Sequence, residues 1–172
     1  MSAPQAIHDF DDRVDVAFDR IRGNRYTDRL FYSASFAGDH SAIWVLLALL
    51  RAWSDGDWYV ASRVLIAIPC ESFLVNVVIK SLFRRGRPLH NGERPHRLRR
   101  PRTSSFPSGH ATSAFMAATL LSWNSDWVVA YFALAILIAA SRIYVKIHHA
   151  SDVIAGAVFG LALGIGIRVL AF

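Results

Sequence analysis

The sequence predicts an all-α fold: an integral-membrane helical bundle of about five spanning helices preceded by an N-terminal amphipathic helix. Three observations carry that expectation. The 172 residues are 53% hydrophobic and 19% charged, a balance that leans toward the membrane class while the length suits one domain. Five apolar stretches fall at about 30–50, 58–82, 109–123, 126–145 and 151–170, and about 20 helical residues cross a bilayer core. Ahead of them Ile7, Phe10, Val14, Phe18 and Ile21 recur at three- and four-residue spacing, the period of an apolar stripe on a helix.

That stripe predicts a helix over about 7–22 lying at the membrane surface, with Asp9, Asp11, Asp12, Arg13, Asp15, Asp19 and Arg20 on its solvated sides. The opening residues lack the basic start and apolar core of a secretory signal, so no cleaved leader is expected. The chain reads as one membrane-embedded domain over 1–172, with the amphipathic helix in 1–27 and the bundle in 28–172. The third apolar stretch is short and polar at its start, as expected of a helix that begins at a site in the head-group zone. In the last stretch Gly156, Gly160 and Gly164 repeat every four residues, a stripe without side chains that admits a neighbouring helix, so it is read as packing. Cys70 is the single cysteine and excludes an intrachain disulfide. It is expected to be a small buried group. Asp39, His40, Glu71 and Asn76 fall inside apolar stretches, where a polar side chain is costly. They either line the substrate entrance or pair with neighbouring helices; pairing is the favoured expectation, and none is assigned to a site.

The net charge of +6, from 19 basic and 13 acidic residues, points to an anionic partner: a phosphate, a lipid head group or a nucleic acid. The sign alone does not choose. Much of the excess lies in the loop 83–107, where Arg84, Arg85, Arg87, Arg94, Arg97, Arg99, Arg100 and Arg102 crowd together. A long segment of this kind in a compact domain tends to be functional or disordered, and some of these arginines are expected to meet phosphate, from substrate or lipid.

Three clusters share that logic. In KSLFRRGRP, Lys80 ends the second spanning helix and Arg87 follows seven positions on, stiffened by Pro88, so both cations can converge on one anion. Taken alone, Lys80 reads better as a side chain reaching to the interface. In SFPSGHATSAF an extended segment runs into a helix, placing Ser108, Gly109 and His110 in its first turn, where unpaired N–H groups and the positive dipole end bind phosphate. Gly109 lets the backbone approach an anion, Ser108 adds a hydroxyl, and His110 is a candidate general acid. A capping serine followed by an incidental histidine is the plainer alternative. In SRIYVKIHHASD, Arg142 supplies a forked donor for phosphate oxygens. His148 and Asp152, four apart, share a helical face. A carboxylate on one ring nitrogen fixes the tautomer and leaves the other nitrogen free to attack phosphorus. His149 points elsewhere and is read as a bystander.

Together the clusters resemble the type-2 phosphatidic acid phosphatase superfamily, whose motifs K-x6-RP, PSGH and SR-x5-H-x3-D stand intact and in order across 80–152. The resemblance implies a membrane lipid phosphatase in which His148 is the nucleophile, Asp152 its orienting partner and His110 the proton donor to the leaving oxygen. Lys80, Arg87, Ser108, Gly109 and Arg142 would cradle the phosphate. It implies no metal and no cofactor, and the sequence has no carboxylate cluster of the kind that holds magnesium. The implied partners are a lipid phosphate and the bilayer rather than a nucleic acid, with the oligomeric state left open. A vanadium-dependent haloperoxidase would use the same pocket, but those relatives are generally larger and soluble. A non-catalytic lipid carrier would lack His148 or Asp152, and both are present.

Orientation bears on the substrate. All three clusters share one membrane side with Arg13, Arg20, Arg22, Arg25, Arg29 and Lys146, while the opposite side carries Arg51 and Trp53, Trp58, Trp123 and Trp127. Basic segments stay in the cytoplasm and tryptophans mark an interface, so the expected active site faces the cytoplasm of the cell membrane. Among polyprenyl diphosphate, phosphatidylglycerophosphate, phosphatidic acid and a polyprenyl-linked phosphosugar, that favours a lipid phosphate made inside, such as a decaprenyl-linked phosphoribose or phosphatidylglycerophosphate, and leaves polyprenyl diphosphate recycled on the outer face as the alternative.

Overall fold

In a computed structural model, residues 3–88 and 103–170 are described, and all of their regular structure is helical. The remaining loop arginines, Arg94, Arg97, Arg99, Arg100 and Arg102, lie outside the described residues. Seven helices follow in order: α1 (Ala3–Asp19), α2 (Arg25–Ala37), α3 (Ala42–Asp55), α4 (Trp58–Leu82), α5 (Gly109–Leu121), α6 (Val128–Tyr144) and α7 (Ala150–Leu170).

Local chemistry sets most boundaries. Asn24 caps α2 by accepting from the Tyr26 N–H at 2.9 Å. Asp57 caps α4 by accepting from the Val60 N–H at 3.1 Å, after Gly56 has turned the chain at φ 70°. Between α2 and α3 the chain breaks at a short 3₁₀ turn, Asp39–Ser41, where His40 and Ser41 hold φ of 53° and 59°. The two helices meet there at 61°. Helix α4 passes through Pro69 and then widens into a π-helical turn at Leu74–Ile79 just before Lys80, a distortion often found next to functional sites.

Helix α5 is the centre of the bundle: most of its residues are buried, surrounded by α3, α4, α6 and α7. Trp44, Val64, Met116, Leu121 and Ile138 form the core beneath the site end. Gly156, Gly160 and Gly164 lie against α5, and a Cβ on each would meet Ser108, Thr112 and Thr119 respectively. Packing is the structural role of that stripe, and its first member presses on the phosphate-motif serine. At the far end the buried Arg51 donates to the Leu121 and Trp123 carbonyls, joining α3 to the end of α5.

The outward surface is apolar: Ile66, Val129, Ile136 and Val158 are all more than half exposed, an unpartnered band of the size that soluble proteins avoid. By length and composition α4 and α7 can each cross a membrane, α2 and α3 count as a third crossing if the bent pair is one span, and α6 is a shorter apolar helix. Helix α5, with 13 residues, falls below that length because its polar first turn sits at the site and its neighbours, rather than lipid, cover it.

Two sequence expectations change. Cys70 is exposed on α4 rather than buried. Asp11 is only 3% exposed and faces the bundle, because the packed side of α1 is turned by one position from the stripe that its apolar residues trace; Ile7 and Phe10 remain exposed.

Candidate active site

The three clusters converge on one cavity of about 790 Å³ at the end of the bundle. Lys80, Arg87, Gly109, His110, Arg142 and His148 line it. Ser108 and Asp152 are fully buried behind the wall. Ser108 uses its hydroxyl to cap α5, accepting from the Ala111 N–H at 3.4 Å, and its own N–H donates to the Asp152 carbonyl at 3.0 Å. Its hydroxyl is therefore turned toward the helix start.

His148 sits on the loop between α6 and α7. The carbonyl of Arg142 accepts from the backbone N–H groups of Ile147 and His148, both at 3.1 Å, so the loop is folded back on the end of α6. Arg87 Nη1 lies 3.3 Å from His148 Nε2 and donates to the Ile147 carbonyl at 2.9 Å. A guanidinium only donates, so this contact makes Nε2 the unprotonated nitrogen and places the proton on Nδ1. Nδ1 faces Asp152 Oδ2 at 3.7 Å, an electrostatic contact too long for a hydrogen bond. Burial pushes the His148 imidazole down to about 3, with Arg142, Arg87 and Lys80 acting the same way and Asp152 against them. The ring is neutral at physiological pH with its lone pair on the cavity side.

The cations have fixed seats. Lys80 Nζ donates to Asn76 Oδ1 at 2.7 Å across one turn of α4. Arg142 Nη1 donates to the Ser35 hydroxyl of α2. Arg87 Nη2 donates to the carbonyls of Thr103 and Ser104, each at 3.2 Å. Those two bonds belong to a neck: Ser105 N–H donates to the Arg85 carbonyl at 3.0 Å, and Ser105 Oγ to the Gly86 carbonyl at 2.9 Å. Residues 85–87 and 103–105 thus lie side by side.

His110 starts α5, and its Nε2 donates to Asp39 Oδ1 at 2.9 Å. Gly38 makes the contact possible, since a Cβ there would lie 2.9 Å from His110 Cδ2 and 2.8 Å from Ile138 Cγ2. Asp39, His40, Glu71 and Asn76 all line the cavity, the entrance alternative, and for Asp39 the expected pairing with a neighbouring helix holds as well, through His110 of α5. The signal for all four is a polar residue placed in an apolar stretch. The break at 39–41 brings Asp39 to α5 only in three dimensions.

Arg85 was counted among the loop arginines and not placed at the site. It donates through Nη1 to Asp152 Oδ1 at 2.6 Å and through Nη2 to Asp11 Oδ2 at 2.6 Å. Asp152 Oδ2 also accepts the His149 N–H at 2.9 Å, so the backbone of His149, whose side chain was read as a bystander, takes part. Among the described residues no group of three or more His, Cys, Asp or Glu is arranged to hold a metal ion. What the arrangement can do is bind a tetrahedral oxyanion between three cations and a helix start, and present a neutral imidazole nitrogen to it.

Known proteins match this picture. Over 130 residues the chain is 38% identical to the decaprenylphosphoryl-5-phosphoribose phosphatase of Mycolicibacterium smegmatis, covering 71% of this chain and 67% of that one. The crystal structure of Aquifex aeolicus LpxE superposes with a TM-score of 0.73 at 28% identity, covering 93% of this chain and 94% of that one. A transmembrane PAP2 type phosphatidylglycerolphosphate phosphatase from Bacillus subtilis superposes with a TM-score of 0.73 at 21% identity, over 96% of this chain and 86% of that one, and shares the fold. Residues 58–172 match the PAP2 superfamily, and with its three motifs gathered at one cavity the chain belongs to that superfamily of lipid phosphatases.

Proposed function

We propose that this phosphatase hydrolyses a phosphomonoester on a polyprenyl-linked sugar, of the decaprenylphosphoryl-phosphoribose type, without a metal ion. The single observation that carries the chemistry is the His148 ring, neutral and buried, with Nε2 against Arg87 and Nδ1 toward Asp152. The substrate class is supported by the name of the mycobacterial relative and by an apolar bundle surrounding the cavity.

Lys80, Arg87, Arg142 and the start of α5 at Gly109 hold the phosphate, while Ser108, expected in that cradle, caps the same helix start from behind the wall. His148 Nε2 attacks phosphorus in line, the P–O bond to the lipid breaks, and His110 gives the departing oxygen a proton. Asp39 on Nε2 of His110 stabilises the protonated ring and leaves Nδ1 for that transfer. Asp152 balances the positive charge that grows on His148. Water, deprotonated by His110, then attacks the phosphohistidine, releasing phosphate and restoring both rings. Charge placed in advance around a transferring phosphoryl group is the main source of such catalysis.

The whole chain acts as one domain with α1 at the surface, and the bundle makes five passes, counting α2 with α3 as one and α5 as a short central one. The site faces the cytoplasm. Support comes from Trp53, Trp58 and Trp127, all exposed at the end opposite the arginine-rich one. The substrate is tested by phosphate release from purified protein in detergent, offered decaprenylphosphoryl phosphoribose, phosphatidylglycerophosphate, phosphatidic acid and polyprenyl diphosphate. Preference of at least tenfold in kcat/KM for the phosphosugar lipid is expected, and preference for the diphosphate overturns the reading. Orientation is tested by Thr103→Cys in a Cys70→Ser background. Labelling of intact cells by a membrane-impermeant thiol reagent before lysis would place the site outside.

A further inference from the structure

Helix α1 and the turn after it are tied at three levels to the end of α6, the loop that carries His148 and the start of α7. Arg22 donates to the carbonyls of Ile143 and Tyr144, both at 2.8 Å. Lys146 Nζ pairs with Asp15 at 3.1 Å and Asp19 at 3.2 Å. At the third level stands Asp11. Its Oδ1 accepts the Ser151 N–H at 2.8 Å, and its Oδ2 accepts the Ser151 hydroxyl at 2.8 Å and Arg85 Nη2 at 2.6 Å. Arg85 gives its other arm to Asp152 and to Ser151 Oγ.

We propose that Asp11 is a positioning residue for the nucleophile, acting through Arg85 and Ser151 to fix the carboxylate of Asp152. The geometry demands two carboxylates on one guanidinium. Planar and rigid, Arg85 can hold Asp152 Oδ1 in one orientation only while its far edge is also seated. That leaves Oδ2 to face His148 Nδ1. Sharing Arg85 also keeps its full charge from falling on Asp152, which needs its own negative charge to stabilise the imidazolium. Asp11 further seats the Ser151 N–H in the first turn of α7, one residue before Asp152. A surface helix with no residue in the cavity thereby becomes part of the machinery.

The inference rests on His148 as the nucleophile, and the test separates the two. Purified full-length protein in detergent is assayed on the lipid phosphate it turns over best. Asp11→Asn is expected to lower kcat by about 10–100-fold with KM within about threefold, as a small misplacement of a catalytic group does. Asp11→Glu should recover at least a third of the parent kcat. Asp15→Asn loosens the neighbouring anchor without touching Arg85 and should keep kcat within about twofold, whatever it does to thermal stability. Arg85→Ala with Asp11→Asn should be no slower than Arg85→Ala alone, since residues that act as one unit are not additive. Parent-like kcat in Asp11→Asn, equal losses in Asp11→Asn and Asp15→Asn, or additive losses in the double variant each overturn the proposal. Should Asp11→Asn not fold, Arg85→Lys carries the test: it keeps the charge and loses the two-sided bridge, and a parent-like kcat there overturns the proposal equally. Activity surviving in His148→Ala would instead remove the reading beneath it.

Discussion

Replacing Gly156 by alanine adds one methyl group at the contact between α7 and the start of α5. An ideal Cβ at that position stands 2.5 Å from the Ser108 carbonyl oxygen and 3.2 Å from both Ala111 Cβ and Thr112 Oγ1. Ordinary contact begins at 3.4 Å, so the serine carbonyl and the new methyl must separate by about 0.9 Å. The carbonyl cannot yield easily, because it accepts from the Thr112 N–H and hydroxyl, both at 3.0 Å. The whole first turn of α5 moves instead, carrying Gly109 and His110. Overpacking of this size costs about 1–3 kcal/mol, and a displacement near 1 Å at a reacting centre costs about 10²-fold in rate. We expect kcat/KM for phosphate release to fall about 30–300-fold, with a lower midpoint of thermal unfolding. Gly166→Ala, where no atom lies within 4 Å of the added carbon, is the control and should keep kcat/KM unchanged without lowering the unfolding midpoint, since alanine is the better helix former. A Gly156→Ala protein with parent activity and parent stability would refute the claim that this glycine sets the position of the phosphate-binding turn.

Other outcomes follow from the same geometry. His148→Ala should abolish turnover, while Asp152→Asn should leave a trace, about 10²–10⁴-fold below the parent, because the ring remains but is poorly held; equal activities in both variants would contradict the assigned roles. Vanadate, which takes the five-coordinate shape of an in-line phosphoryl transfer, should inhibit competitively, and EDTA should not; complete loss on chelation with recovery on adding magnesium would overturn the metal-free reaction. His148 is depressed from 6.5 to about 3 by burial first, so on acidification the unfolded chain takes up this proton before the folded one. Stability present above about 6.5 is then lost as the pH falls toward 3, by up to about 1.4 kcal/mol per unit. In His148→Asn that slope should shrink, measured by denaturation midpoints between pH 7 and 4, and an unchanged slope would refute the assignment.

The sequence carried the fold class because apolar runs and helix starts are local signals. Lys80, Arg87, Gly109, His110, Arg142 and His148 were legible for a related reason: their spacing repeats a pattern tied to one chemistry, and the structure gathers all six on one cavity. Asp11 was not legible. On a helical wheel it belongs with the other acids of α1, and only the approach of Arg85, 74 residues away, and of Ser151, 140 away, distinguishes it from Asp12. Asp39 was missed differently: its neighbours His40 and Ser41 hold positive φ, a break that an unbroken apolar run conceals. The count of passes is the weakest part of a one-dimensional reading, since a helix sheathed by protein, like α5, follows neither the length nor the hydropathy of one that meets lipid.

The neck formed by residues 85–87 against 103–105 bears on how much change in chain length the reaction centre tolerates. Arg87 is held from both sides at that constriction, by the carbonyls of Ile147, Thr103 and Ser104, so its position does not depend on how many residues are threaded between Pro88 and Thr103. Doubling the length of an insertion pinned at its base costs only about 0.6 kcal/mol of closure entropy. Changing the number of residues between Pro88 and Thr103 should therefore leave Arg87 seated and the chemistry intact, as the rate of phosphate release from such variants would report.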